Sequence, residues 1–62
     1  MDEQFLTTEE VSYMMNISIQ SVLRLIKENR LGAIKLSRSY RIPYSEIQSF
    51  KLREMKRLED KK

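Results

Sequence analysis

The chain has 62 residues, with twelve Lys or Arg, nine Asp or Glu, no His and no Cys. This length allows one small domain, and the missing His and Cys remove the usual ligands and bases of disulfides, zinc sites and His- or Cys-based catalysis. We therefore expect a protein that is not an enzyme, with no catalytic residues, metal or cofactor. No apolar run approaches the length of a membrane span or signal peptide, which predicts a cytoplasmic protein.

The formal net charge is only +3, but the charges are distributed unevenly along the chain. Residues 1–18 carry four acids and no base, whereas residues 19–45 carry six bases against Glu28 alone. Residues 51–62 contain six bases and three acids. The strongly basic middle of the chain is compatible either with a nucleic-acid partner or with an ordinary soluble surface.

A first helix is predicted from Thr8 to Met15. Thr7 suits the N-cap and Glu10 lies three residues further on, so the two residues form a capping box. Asn16 fits the left-handed position that ends such a helix. The apolar stripe of this helix is expected in the core and consists of Val11, Met14 and Met15.

A second helix is predicted directly after Ser18, which is a good N-cap residue, and should end near Asn29 or Arg30, before Gly32. Two helices joined by a turn of about three residues, with a basic stripe on the second, have the outline of a helix-turn-helix. The apolar face of the second helix is formed by Val22, Leu25 and Ile26, and its opposite face by Gln20, Arg24 and Lys27.

Residues 33–42 alternate between apolar and polar side chains, which predicts a β-hairpin, or wing. We expect a three-residue loop over residues 37–39. The resulting register pairs Leu36 with Tyr40 and Ile34 with Ile42 on the core face, and Lys35 with Arg41 on the outer face. Like charges that face each other across two strands repel unless an anion lies over them, so we expect these two side chains to share a phosphate.

A third helix is predicted after Pro43, which suits the first turn of a helix. Ile47 and Phe50 are expected to point towards the core, and Met55 and Leu58 roughly continue that face. The apolar stripe thins beyond residue 51, so we expect the end of this helix to be only partly ordered.

The predicted DNA contacts lie on the second helix and the wing, because a helix presented in this way fits the major groove. Gln20 suits adenine, Arg24 suits guanine or a phosphate, and Lys27 suits a phosphate. Arg38 at the wing tip is placed to enter the minor groove, and Tyr40 is expected mainly in the core, with a phosphate contact as the alternative. The full predicted set is Ser18, Gln20, Ser21, Arg24, Lys27, Lys35, Arg38, Ser39 and Arg41.

Several short motifs follow one another over about residues 5–51, namely LTTEEV, Ile17-Ser18, Ser21-Val22, Arg24-Leu25-Ile26, Ala33-Ile34-Lys35 and Ser39-Tyr40-Arg41-Ile42-Pro43. In order and spacing they resemble the excisionase-type branch of the small MerR-like winged-helix proteins. Asn16 and Ser37 depart from that pattern, since each stands where these proteins often have Gly. Ser adopts left-handed geometry less readily than Asn, so the departure concerns the wing tip most.

The resemblance implies a mostly α fold with a small β-hairpin, a winged helix-turn-helix in the order α-α-β-β-α, that binds duplex DNA. The domain is expected over residues 1–51, followed by a basic helix end or tail over residues 52–62. Members of this group are excisionases of phages and mobile elements, which direct an integrase towards excision, and small transcription regulators.

We therefore expect a sequence-specific DNA-binding protein that acts as an excisionase, or recombination directionality factor, and organises or bends DNA for an integrase or recombinase. Since nothing in the chain resembles a ligand-sensing domain, we expect no small-molecule ligand. We also expect no membrane partner. On DNA, we expect copies of the chain to associate cooperatively. Two alternatives stay open. One is a small winged-helix transcriptional regulator, and the other is a protein-interaction module that contacts an integrase or a polymerase.

Overall fold

The structure is a computed structural model that describes residues 3–60, with side chains described as far as residue 58. It confirms the predicted winged helix-turn-helix and adds a third strand at the front. Among the described residues, no helix is long and apolar enough to cross a membrane. The elements in chain order are β1 (Phe5–Leu6), α1 (Thr8–Met15), α2 (Ile19–Lys27), β2 (Ile34–Leu36), β3 (Ser39–Pro43) and α3 (Tyr44–Asp60).

The capping box of α1 is confirmed. The Thr7 hydroxyl accepts a hydrogen bond from the Glu10 amide at 3.1 Å, and the Glu10 carboxylate accepts one from the Thr7 amide at 2.9 Å. Asn16 ends the helix in the left-handed conformation at φ 58°. The amide of Ile17 then bonds back to the carbonyl of Ser12 at 3.0 Å, which closes a Schellman motif and turns the chain towards α2.

The predicted end of α2 near Asn29 or Arg30 is wrong, because the helix ends at Lys27. Asn29 takes φ 60°, and the amide of Arg30 bonds to the carbonyl of Leu25 at 2.9 Å. This is a second Schellman motif with Asn in the left-handed position, so α2 stops two residues before the predicted range. Leu31, which the sequence analysis did not assign to the core, is buried directly after it.

Strand β3 lies in the centre of a three-stranded antiparallel sheet with the order β1-β3-β2. The sequence analysis did not predict β1, which is two residues long and pairs Phe5 with Pro43 and Leu6 with Ile42. The amide of Tyr44 continues this pairing by donating to the carbonyl of Gln4 at 2.9 Å. Pro43 is therefore the last residue of β3 rather than part of the first turn of α3 as predicted.

The predicted register of the wing is also wrong. The loop has two residues, Ser37 and Arg38, and Ser37 adopts φ 58°. The shorter loop moves the pairing by one residue and turns the apolar side chains of β2 away from the core, so Ile34 and Leu36 are 45% and 51% exposed. The observed pairs are Ile34 with Arg41, Lys35 with Tyr40, and Leu36 with Ser39.

The core lies between the helix-turn-helix, β3 and the first half of α3. Tyr40 and Met15 are partly buried and pack against it, but Met14 is 44% exposed, so the prediction of Met14 as core is wrong. Val11 and Met15 are one turn apart and point inward, which leaves Met14 on the outer side of α1. The buried apolar residues are Leu6, Val11, Val22, Leu31, Ile42, Ile47 and Phe50.

Helix α3 continues past the core to Asp60, further than the thinning apolar stripe indicated. Ile47 and Phe50 are buried as predicted, whereas Met55 and Leu58 are exposed, which corrects the prediction that they continue the core face. The predicted boundary between a domain over residues 1–51 and a tail over residues 52–62 falls inside this helix and stays a prediction. The last two residues of the predicted tail, 61 and 62, lie outside the described part of the chain.

The register can be tested with one substitution made at two positions. Ile42→Val removes a methylene from the fully buried centre of β3 and should lower the free energy of unfolding by about 0.5–1.5 kcal/mol. The same change at the exposed Ile34 should alter it by less than about 0.5 kcal/mol. Urea unfolding followed by circular dichroism measures both. Equal losses would support the predicted pairing of Ile34 with Ile42 and contradict the observed one.

Candidate nucleic-acid interface

The outward face of α2 carries exposed polar and basic side chains along its whole length. Gln20, Arg24 and Lys27 are exposed, while Val22 on the opposite face is fully buried. This arrangement follows from the helical period, because residues at i, i+4 and i+7 share one side of a helix. Burial of Val22 against the core therefore fixes which side of α2 is presented to a partner.

The N-terminus of α2 is held by two serines that hydrogen-bond to each other. The Ser18 hydroxyl accepts from the Ser21 amide at 3.0 Å and donates to the Ser21 hydroxyl at 2.9 Å. Ser18 therefore acts first as the N-cap, as its sequence position indicated. The Ser21 hydroxyl oxygen accepts this bond and keeps its own hydrogen to donate.

The wing lies beside α2, so the two elements form a common groove. Gln20, Arg24 and Lys27 line one side of the groove, and Tyr40 of β3 lines the other. Lys35 lies across from Tyr40 on the neighbouring strand, with its Nζ 5.7 Å from the centroid of the Tyr40 ring. Tyr40 thus lies between the basic side chains of α2 and Lys35 of the wing.

Two features of this groove go beyond what the sequence predicted. Tyr40 packs partly against the core, as expected, and its side chain also lines the groove. Leu23, which was assigned to neither face of α2 from the sequence, also contributes to the groove. The signal for Leu23 was its position next to Arg24 and three residues after Gln20, which places it at the border of the polar face.

The outer face of the wing is formed by Ser39 and Arg41. The Arg41 guanidinium donates to the Ser39 hydroxyl at 3.0 Å and to the Tyr40 carbonyl at 3.2 Å. Because Lys35 pairs with Tyr40, Lys35 and Arg41 point to opposite faces of the hairpin. The prediction that they face each other and share one phosphate is therefore wrong. Arg38 is exposed in the two-residue turn at the tip.

An ion-pair cluster holds the segment that follows α2 against α3. The Arg30 guanidinium donates to the Glu54 carboxylate at 2.9 Å, and the Arg57 guanidinium donates to the other carboxylate oxygen at 2.8 Å. The Arg53 side chain donates to the Arg30 carbonyl at 2.8 Å. Arg30 belongs to the basic segment of the sequence, but its guanidinium forms an intramolecular ion pair, unlike the basic side chains of α2.

A family model described as a helix-turn-helix domain matches residues 5–55. The chain belongs to this helix-turn-helix domain family. Membership identifies it as a DNA-binding domain and agrees with the fold, since the match begins at β1 and ends within α3. No curated protein and no solved structure shows a significant similarity to the chain.

The ion-pair cluster makes a prediction about acid stability. The hydrogen bond from Arg30 lowers the pKa of Glu54 below its ordinary value of 4.5. A carboxylate whose pKa is lowered by folding stabilises the domain above its ordinary pKa, and this contribution is lost as the pH falls through the lowered value. Glu54→Gln should therefore flatten the fall of the thermal midpoint between neutral pH and about pH 3.

Glu9→Gln is the matched control, because within residues 3–58 the Glu9 carboxylate accepts no hydrogen bond and forms no ion pair. It should leave the pH dependence close to that of the unmodified chain. If both variants followed the unmodified curve, the pairing of Glu54 with Arg30 would contribute nothing to stability in solution.

Proposed function

We propose that the chain reads duplex DNA with α2 in the major groove and the wing against the neighbouring backbone and minor groove. The observation that carries this proposal is the common groove, in which Gln20, Arg24 and Lys27 of the helix lie beside Tyr40 of the wing. An α-helix is about 10–12 Å across with its side chains, which suits a major groove about 12 Å wide. Gln20 is the adenine-reading residue and Arg24 reads guanine or holds a phosphate.

Charge supports the same face. Within residues 3–58, none of the basic residues of α2 and the wing pairs with a carboxylate, in contrast to Arg30. Desolvating unpaired cations is unfavourable, and four of these five are exposed and ready to replace the counterions of a phosphate backbone. The four are Arg24, Lys27, Lys35 and Arg38, whereas Arg41 is half-buried.

The observed wing register places Lys35 and Arg41 on opposite faces of the wing. Lys35 lies on the groove side with Tyr40, whereas Arg41 and Ser39 lie on the outer side. Lys35 and Arg41 therefore contact different phosphates, and Arg38 at the tip reaches the minor groove between them. Ser18 and Ser21 contribute mainly by fixing the first turn of α2, with the Ser21 hydroxyl as a further hydrogen-bond donor.

The biological role that we propose is that of an excisionase, which bends or organises DNA for an integrase and associates with further copies on adjacent sites. The support is the resemblance of the motifs over about residues 5–51 to excisionase-type proteins. A small transcriptional regulator would use the same DNA-binding face. A protein-interaction module would use the scaffold without binding DNA, and it predicts no salt-dependent affinity for a duplex.

The DNA-binding face is tested by one substitution at two positions. Lys27→Ala and Lys51→Ala remove the same charge from exposed sites on α2 and α3. On a short duplex, Lys27→Ala should weaken binding and reduce the slope of log affinity against log salt by about 1, the effect of one lost phosphate contact. Lys51→Ala should leave the slope unchanged. Fluorescence anisotropy at several salt concentrations measures both, and equal slopes would contradict the proposed face.

The excisionase role is tested by the shape of the bound DNA. Energy transfer between dyes at the two ends of a duplex of about 30 base pairs should rise on binding, since a bent site brings its ends together. Arg38→Ala, which removes the side chain at the wing tip, should reduce the bend more than it reduces the affinity. A duplex that stays straight at saturating protein would contradict the architectural role while leaving DNA binding intact.

A further inference from the structure

Two exposed surfaces of the domain lie outside the proposed DNA-binding face and have complementary character. The first is on α1, where Tyr13 is 88% exposed and Met14 is 44% exposed. Glu9 and Glu10 are exposed beside them, at i−4 and i−3 from Tyr13, so two carboxylates border the apolar pair. We call Glu9, Glu10, Tyr13 and Met14 the acidic patch.

The second surface is on the part of α3 that extends beyond the core. Leu52 and Met55 are 67% and 59% exposed and lie on the same side of the helix. Lys51 lies four residues before Met55 and Lys56 four residues after Leu52, so an exposed cation borders the apolar pair on each side. We call Lys51, Leu52, Met55 and Lys56 the basic patch.

From these two patches we infer that a second copy of this chain docks head to tail, with the acidic patch of one copy on the basic patch of the next. Both patches pair an apolar centre with charged borders, and the signs of the borders are opposite. Exposed apolar clusters rimmed by charge are typical of interaction sites. The two patches of one chain do not cover each other, because both are exposed in the same molecule, so a second copy is needed to pair them.

The contact is heterologous, since it joins two different surfaces, and it can therefore continue from copy to copy. Each patch offers only two exposed apolar side chains, so the contact is weak in free solution and acts where copies are already close together. DNA supplies that proximity because the proposed DNA-binding face uses neither patch. Cooperative binding along DNA rests on the proposed function, whereas the docking of the two patches does not.

The test uses the absence of Cys from the sequence, so that introduced thiols are unique. One chain carries Glu9→Cys and a differently tagged chain carries Lys56→Cys, and the mixture is oxidised with and without a long duplex. At equal concentrations of the two chains, random pairing already gives twice as much mixed disulfide as either like-with-like product. The mixed yield should exceed this ratio, because only the mixed pair brings the two patches together. Adding Tyr13→Ser to the Glu9→Cys chain should lower the mixed yield about tenfold, as expected for the loss of an interface anchor.

Replacing the Lys56→Cys chain with a Gln4→Cys chain measures random collision, because the exposed Gln4 belongs neither to a patch nor to the proposed DNA-binding face. A mixed yield equal to this control, both with and without the duplex, would overturn the proposed docking. Affinity for a short duplex that holds one copy is measured separately with the Tyr13→Ser chain and should be unchanged. Failure of the unmodified chain to bind that duplex would count against the proposed function. Duplex-free cross-linking at high protein concentration, where a weak contact still forms, would then decide the docking.

Discussion

The double pairing of β3 is the constraint on which the rest of the structure depends. One edge of β3 pairs with β1, directly before α1, and the other pairs with β2 of the wing. Ile42, which pairs with Leu6 of β1, is completely buried against the helices. A wing attached only through its own turn would be free to swing, since an isolated two-stranded hairpin is marginally stable. Anchoring β3 on both edges gives the wing one orientation relative to α2.

That orientation creates the proposed DNA-binding face. With Ile42 buried, Tyr40 two residues earlier lies on the same side of β3 and reaches the groove beside Arg24 and Lys27. On the helical side, two left-handed Asn residues, Asn16 and Asn29, end α1 and α2 and set their lengths. The paired charge of Arg30 holds the segment after α2 to α3. Within residues 3–58, the ion pairs use other residues than the basic side chains of α2 and the wing, which therefore remain available to a partner.

Local signals in the sequence were sufficient for the starts of α1 and α2 and insufficient for the sheet. The capping box of Thr7 and the N-cap of Ser18 depend on residues a few positions apart, so both could be predicted. Strand β1 is only two residues long, and its partner β3 lies more than thirty residues away, so no periodicity reveals it. The wing register depended on assuming that every apolar side chain is buried. Ile34 and Leu36 break that assumption because the wing extends beyond the core.

The central claim is that α2 and the wing contact one duplex together, while the acidic front of α1 and the end of α3 face away from it. Amide chemical shifts of the labelled protein, titrated with a duplex of about 12 base pairs that holds one copy, test this most directly. We predict large shifts at Gln20, Arg24, Lys27, Lys35 and Arg38, and small shifts at Tyr13 and Met55. Shifts confined to α2, or centred on α1 or α3, would contradict the account.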